Sequence, residues 1–146
     1  MGEEVTRIAF ICVENAGRSQ MAAAFAEERV RADGAAIEVL SGGTAPAESV
    51  HPEVIGVMRE VGVDLTRRRP QEISEEKAET ADIIITMGCS AERVCPATWR
   101  GDSRDWDLPD PKGRSVEQIR AIRDRIETRV DELFEEIGAA PDGREV

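Results

Sequence analysis

Short apolar runs of strand length alternate along this chain with longer segments of helical period, and that alternation leaves few folds open to it. Val5 to Ile11 passes from alternating to mostly apolar residues and ends at Cys12, the pattern of a strand buried on both faces. Ser19 to Arg31 follows, with Met21, Ala22, Phe25, Ala26 and Val30 on one stripe and Asp33-Gly34 closing the helix. Ile37 to Leu40 reads as a second strand broken by Gly42-Gly43, and Pro52 to Val61 as a helix stopped by Gly62. Asp82 to Met87 is a third buried strand, and Arg104 to Trp106 a short fourth one ahead of the turn around Pro109 and Pro111. The last helix is the clearest. Val116, Ile119, Ile122, Ile126, Val130, Leu133 and Ile137 recur at three- and four-residue steps, with Ser115 as cap and Gly138 as end. This order predicts an α/β domain of three layers, in which a central four-stranded parallel sheet is flanked by helices.

A chain of 146 residues has room for one contiguous core, so residues 1–138 are expected to form a single catalytic domain and 139–146 a short flexible tail. No apolar run approaches the roughly 20 residues that span a bilayer, which predicts no membrane insertion. The start Met1-Gly2-Glu3-Glu4 has no basic region, so a cytoplasmic location is expected. Met1 to Thr6 also fits the loose myristoylation pattern, which is short enough to arise by chance. A formal net charge of −11 argues against a nucleic-acid partner, because phosphate-backbone binding needs a Lys/Arg surface. Cys12, Cys89 and Cys95 are an odd set, which turns attention from structural disulfides to metal or redox chemistry.

The segment Cys12-Val13-Glu14-Asn15-Ala16-Gly17-Arg18 stands where a parallel sheet presents ligands, between the end of the first strand and the next helix. A loop folded round an anion can turn successive N–H groups inward, and the helix that follows adds its positive dipole end. The same dipoles, beside an arginine, favour a thiolate nucleophile. Arg18 can offer a fork of donors to a tetrahedral oxyanion, Asn15 can brace the loop, and Ser19 can donate to the sulfur. Gly17 is expected to supply a backbone angle closed to other residues, and Glu14 to point its side chain out of the loop. Oxyanion binding is thus assigned to Val13, Glu14, Asn15, Ala16, Gly17, Arg18 and Ser19, with Cys12 as nucleophile. The bland alternative, a strand-end cysteine that only packs, is outweighed by the flanking strand, helix, Asn, Gly and Ser.

Cys12-x5-Arg18-Ser19 after the first strand resembles the low-molecular-weight tyrosine phosphatase superfamily and its arsenate reductase branch. The likeness extends through Gln20-Met21-Ala22, Ser41-Gly42-Gly43-Thr44, Thr86-Met87-Gly88-Cys89 and Trp106-Asp107-Leu108-Pro109-Asp110-Pro111. It implies that Asp110 serves as the acid in either branch. The phosphatases usually place tyrosines after the Asp-Pro to sandwich an aromatic substrate, whereas here Lys112-Gly113 follows and the chain has no Tyr. What the resemblance implies is arsenate reduction: Cys12 attacks arsenate, Cys89 attacks Cys12 to expel arsenite, and Cys95 moves the disulfide out to an external thiol reductant. That reductant is thioredoxin or a low-molecular-weight thiol, with no bound cofactor. Phosphate is the competing oxyanion, and a phosphatase using Cys12, Arg18 and Asp110 remains the alternative, with a non-enzymatic oxyanion- or arsenite-binding regulator as a third reading. Related enzymes that hold potassium near the loop use an acidic residue where Ala23 stands here, so no such site is expected.

Cys89 and Cys95 can also be read as a metal half-site, but His51 is the sole histidine and no further Cys pair completes a zinc site, so no metal is expected. They can equally be ordinary loop thiols, and Asp110 a turn residue. His51 before Pro52 reads as a surface turn residue, and Arg67-Arg68-Arg69 as solvated charge or an anion-steering patch. The acidic excess motivates a hypothesis: the surface suits a salty cytoplasm that screens self-repulsion. Thermal melts are therefore expected to rise with added KCl, and full stability in dilute buffer would contradict the hypothesis.

Overall fold

A computed structural model describes residues 5–87 and 101–137. Four strands form the sheet: β1 Thr6–Cys12, β2 Ile37–Gly43, β3 Ile83–Met87 and β4 Asp102–Asp105. Among the described residues four helices accompany them: α1 Arg18–Asp33, α2 Pro52–Glu60, α3 Glu75–Thr80 and α4 Val116–Glu136. The strands run in the order β2-β1-β3-β4, and every neighbouring pair is parallel. The tail and Gly138 lie outside the described residues, among which no helix is long and apolar enough to cross a membrane.

The sheet's period of two sorts the core into two layers. Ile8, Phe10, Ile83, Ile85 and Met87 face α1, α2 and α4, whose Met21, Phe25, Met58, Ile126 and Phe134 fill the larger cluster. Ala9, Ile11 and Ile84 face the other way, onto Ala78 and Ala81. The second layer is thin because α3 is short and polar. Its Glu75-Glu76-Lys77-Ala78-Glu79-Thr80 has no apolar stripe, which is why hydrophobic periodicity passes over it; Ser74 starts it by accepting from the Lys77 N–H.

Gly42 and Gly43 do not break β2, as the sequence suggested; they belong to it. Their role is close approach. A Cβ on Gly42 would sit 2.8 Å from Ile73 Cβ, and one on Gly43 2.6 Å from the Val13 carbonyl oxygen. Gly43 N–H donates to Gln71 O at 2.8 Å, so the 71–73 segment is drawn against the end of β2. The fourth strand lies two residues earlier than its apolar content implied, and Trp106 follows it into the core. Its exposed, charged residues suit a sheet edge.

The capping box at α4 is complete: Ser115 Oγ accepts from Gln118 N–H and Gln118 Oε1 from Ser115 N–H. Glu60 ties α2 to α4, accepting two bonds from Arg120 at 2.9 and 2.7 Å and one from Arg123 at 3.0 Å. The hydrogen bonds from Arg120 and then Arg123 hold the Glu60 carboxyl below the usual carboxylate range. A carboxyl lowered in this way stabilises the fold above the ordinary carboxylate value of about 4.3 and ceases to as pH falls through its own. Glu60→Gln should therefore melt below wild type at pH 7, with the gap closing under acid; a pH-independent gap would show that packing is responsible.

Candidate active site

β1 ends with Cys12 between Gly43 of β2 and Met87 of β3, so three strand ends converge on the sulfur. The loop that follows is held by its carbonyls. Cys12 O, Val13 O, Glu14 O and Ala16 O accept from Thr44, Ala45, Ala47 and His51 N–H at 3.2, 2.8, 2.9 and 3.0 Å. Asn15 O accepts from Gln20 Nε2 at 2.9 Å, and Gly17 O from Met21 N–H at 3.0 Å. In a trans peptide the N–H points opposite to the C=O it is joined to. Tying these six carbonyls outward therefore turns the N–H groups of residues 13, 14, 16, 17 and 18 toward the concavity, while Asn15 N–H donates to Cys12 Sγ at 3.2 Å. The result is a cradle of aligned donors at the start of a 16-residue helix, suited to a multiply charged anion.

Asn15, not Gly17, takes the left-handed backbone, with φ of 53°. Short polar side chains tolerate that region best, and Asn15 is further fixed by its amide. Its Oδ1 accepts from Gln20 Nε2 and Gln71 N–H, both at 3.0 Å, and its Nδ2 donates to Ser19 Oγ at 2.6 Å. Ser19 Oγ, thus already an acceptor, lies 2.9 Å from Cys12 Sγ and has its own hydrogen free for the sulfur. Gly17, at φ −141° and ψ −91°, is neither helical nor extended, and it also needs space, since a Cβ there would lie 3.0 Å from Pro111 Cγ.

Pro111 belongs to the loop carrying Asp110. Trp106 anchors that loop, packing its ring on Phe10 with centroids 5.8 Å apart, and Leu108 is buried beside it. Arg18, 9% exposed, donates through Nη1 to Leu108 O at 2.9 Å and holds Nη2 at 3.8 Å from Asp110 Oδ2. Asp110 Oδ1 accepts from Lys112 N–H at 3.0 Å, and the side chain stays more than half exposed at the mouth. The cavity, about 210 Å³, is lined by Cys12, Arg18, Asp110 and the loop between.

His51, expected at the surface, is instead at this rim: its Nε2 lies 3.2 Å from Glu14 Oε1, and Lys112 Nζ is 3.5 Å from Glu14 Oε2. Glu14 is among the residues lining the cavity, and these two bases sit against its carboxylate, the one acidic charge of the loop. No sequence signal placed His51 there, because its position follows from the His51 N–H bond to Ala16 O. Cys89 and Cys95 lie outside the described residues. Among those described, no cluster of three or more His, Cys, Asp or Glu side chains could hold a metal, and Ala23 is buried in the core.

A parallel sheet whose first strand delivers a cysteine into an anion cradle, with an arginine and an Asp-Pro loop over it, defines a class of cysteine-nucleophile enzymes. Residues 7–142 match the profile of the low molecular weight phosphotyrosine protein phosphatase family, and the chain belongs to that family, on its arsenate reductase branch. A Halobacterium salinarum protein named "Putative arsenate reductase" is 52% identical over 136 residues, 92% of this chain and 94% of its own. The structure of a thioredoxin-dependent arsenate reductase from Corynebacterium glutamicum aligns with a TM-score of 0.76 and 34% identity, over 94% of this chain and 64% of that longer one. An arsenate reductase in a phosphate-binding state aligns with a TM-score of 0.77 and 31% identity, over 91% of this chain and 99% of its own.

Two substitutions separate Asn15's backbone from its amide. Asn15→Gly should lose the hydrogen bonds alone, at a cost of about 1–3 kcal/mol, and Asn15→Ala about 1 kcal/mol more for the left-handed angle. Urea denaturation reads both, and equal losses would mean that the angle carries no cost.

Proposed function

We propose that this chain reduces arsenate to arsenite in the cytoplasm, with Cys12 as nucleophile and Cys89 and Cys95 as resolving and relay thiols. The observation that carries the redox reading is the pairing of Cys12 with Met87. Met87 is the last residue of β3, beside Cys12, and the chain can carry position 89 no more than about 7 Å from it. A second thiol two residues along the chain from the strand end that pairs with Cys12 serves a redox cycle and is not called for by phosphate hydrolysis.

In the proposed reaction the cradle and Arg18 hold the arsenate oxygens while Cys12 thiolate forms a bond to arsenic. One As–O bond breaks, and Asp110 supplies the proton that lets the oxygen leave as water. Cys89 thiolate then attacks Cys12 Sγ. The S–As bond breaks with its electron pair kept by arsenic, so arsenic(V) becomes arsenic(III) and two thiols become one disulfide. Cys95 attacks Cys89 to move the disulfide outward, where a thioredoxin-like protein or a small thiol supplies the two electrons that restore the enzyme. Arg18 both grips the anion and holds the Asp110 loop through Leu108 O, so binding and proton delivery share one guanidinium. Residues 1–138 carry this as one catalytic domain, and a free arsenate or phosphate oxyanion, needing no aromatic platform, is what the cradle takes.

The test supplies arsenate with a thioredoxin system or a small thiol, alongside para-nitrophenyl phosphate. Cys12→Ser should abolish both reactions, and Cys89→Ser should lose arsenate reduction, by at least about a hundredfold, while keeping any phosphate ester hydrolysis. Hydrolysis without reduction in the wild-type protein would establish the phosphatase instead.

A further inference from the structure

Arg68, the middle of the Arg67-Arg68-Arg69 run, is built into the molecule. Its side chain is 23% exposed; Nη1 donates to Glu27 Oε1 at 2.8 Å and Nε to Gln20 Oε1 at 2.6 Å. Gln20 is 1% exposed, and past it lie Asn15, Ser19 and Cys12, each 3% exposed or less. A guanidinium has donors only. Gln20 must therefore turn its oxygen to Arg68 and its NH2 toward Asn15, where Asn15 O, Asn15 Oδ1 and Arg69 O accept at 2.9, 3.0 and 3.3 Å. Asn15 Oδ1 is filled by Gln20 and the Gln71 N–H, which leaves Nδ2 for Ser19 Oγ. Ser19 Oγ lies 2.9 Å from Cys12 Sγ, and once the sulfur is a thiolate, with no hydrogen to give, the serine hydroxyl is the donor of that pair.

We infer that Arg68 is a positioning residue for the nucleophile: its donor-only head sets the direction of a buried relay, Arg68 to Gln20 to Asn15 to Ser19, that delivers a hydrogen to the Cys12 sulfur. Each link donates toward the thiol, so the cation polarises the chain in the sense that stabilises negative charge on sulfur. Glu27 fixes the far edge of the guanidinium, and Glu27 and the relay together account for its Nη1 and Nε bonds. With Glu27 paired to its outer edge at 2.8 Å, the guanidinium acts on the thiolate through the polarised relay, and no further base enters the anion's cavity. The inference rests on Cys12 being the nucleophile but not on which oxyanion it attacks.

The experiment measures the rate of Cys12 alkylation by iodoacetamide at pH 7 in the full chain carrying Cys89→Ser and Cys95→Ser, so that Cys12 is the only thiol. Arg68→Met should react about tenfold more slowly, the loss expected for one charge-assisted hydrogen bond. Arg68→Lys, also donor-only, should stay within about twofold of the unsubstituted rate, as should Arg67→Met, whose side chain is exposed. If Arg68→Met does not fold, Arg68→Gln, whose amide can present either face, substitutes for it and should lose several-fold. An unchanged rate in the neutral variant, or equal losses in Arg68→Met and Arg68→Lys, would overturn the relay. A parent thiol no faster than free cysteine would instead remove the nucleophile on which the relay depends.

Discussion

The active loop is held by its carbonyls, and the rest of the site depends on where they point. Residues 44–51 receive Cys12, Val13, Glu14 and Ala16, Gln20 receives Asn15 and Met21 receives Gly17, so five N–H groups are kept turned inward and that of Asn15 meets the sulfur. Because a peptide plane is rigid, aiming the acceptors outward is the same act as aiming the donors inward. Of the 44–51 segment, His51 reaches the cavity. The segment's place is fixed by Gly43, which alone lets β2 come close enough to Val13 for these bonds to form.

A strongly acidic protein that takes an anion, as proposed, has to hold it against its own field. The solution uses groups that add little to net charge: peptide dipoles, a helix start and a single buried arginine. Arg18 is spent on two duties, since its bond to Leu108 O also fixes the loop that carries Asp110. The one carboxylate in the cradle's own sequence, Glu14, is set against His51 and Lys112. Catalysis as proposed draws on the same economy, with arsenic taking its electrons from thiols and needing no aromatic surface.

Periodicity found the three main strands and the three longer helices because each buries a stripe or a face. It missed α3, whose one buried residue is Ala78, and misread Gly42-Gly43 as a break because a glycine's need for space leaves no local signal. The left-handed angle at Asn15 was not anticipated beside the unusual backbone expected of Gly17, because the partners that hold the Asn15 amide, Gln20 and Gln71, come from different parts of the chain. His51 and Arg68 read as surface residues, since a charge or ring in a polar stretch looks solvated until the fold supplies its neighbour.

The sequence by itself determined the α/β order, the address of Cys12 at the end of the first strand, and the residue types that make an anion cradle, because these rest on near-neighbour spacing and on burial. Only the tertiary structure decided the directions: which way each carbonyl turns, which face of Gln20 meets Asn15, and that a surface arginine lies four hydrogen bonds from the sulfur. Hydrogen bonds are directional and these join segments up to 49 residues apart, so their sense is fixed only when the sheet has brought the segments together.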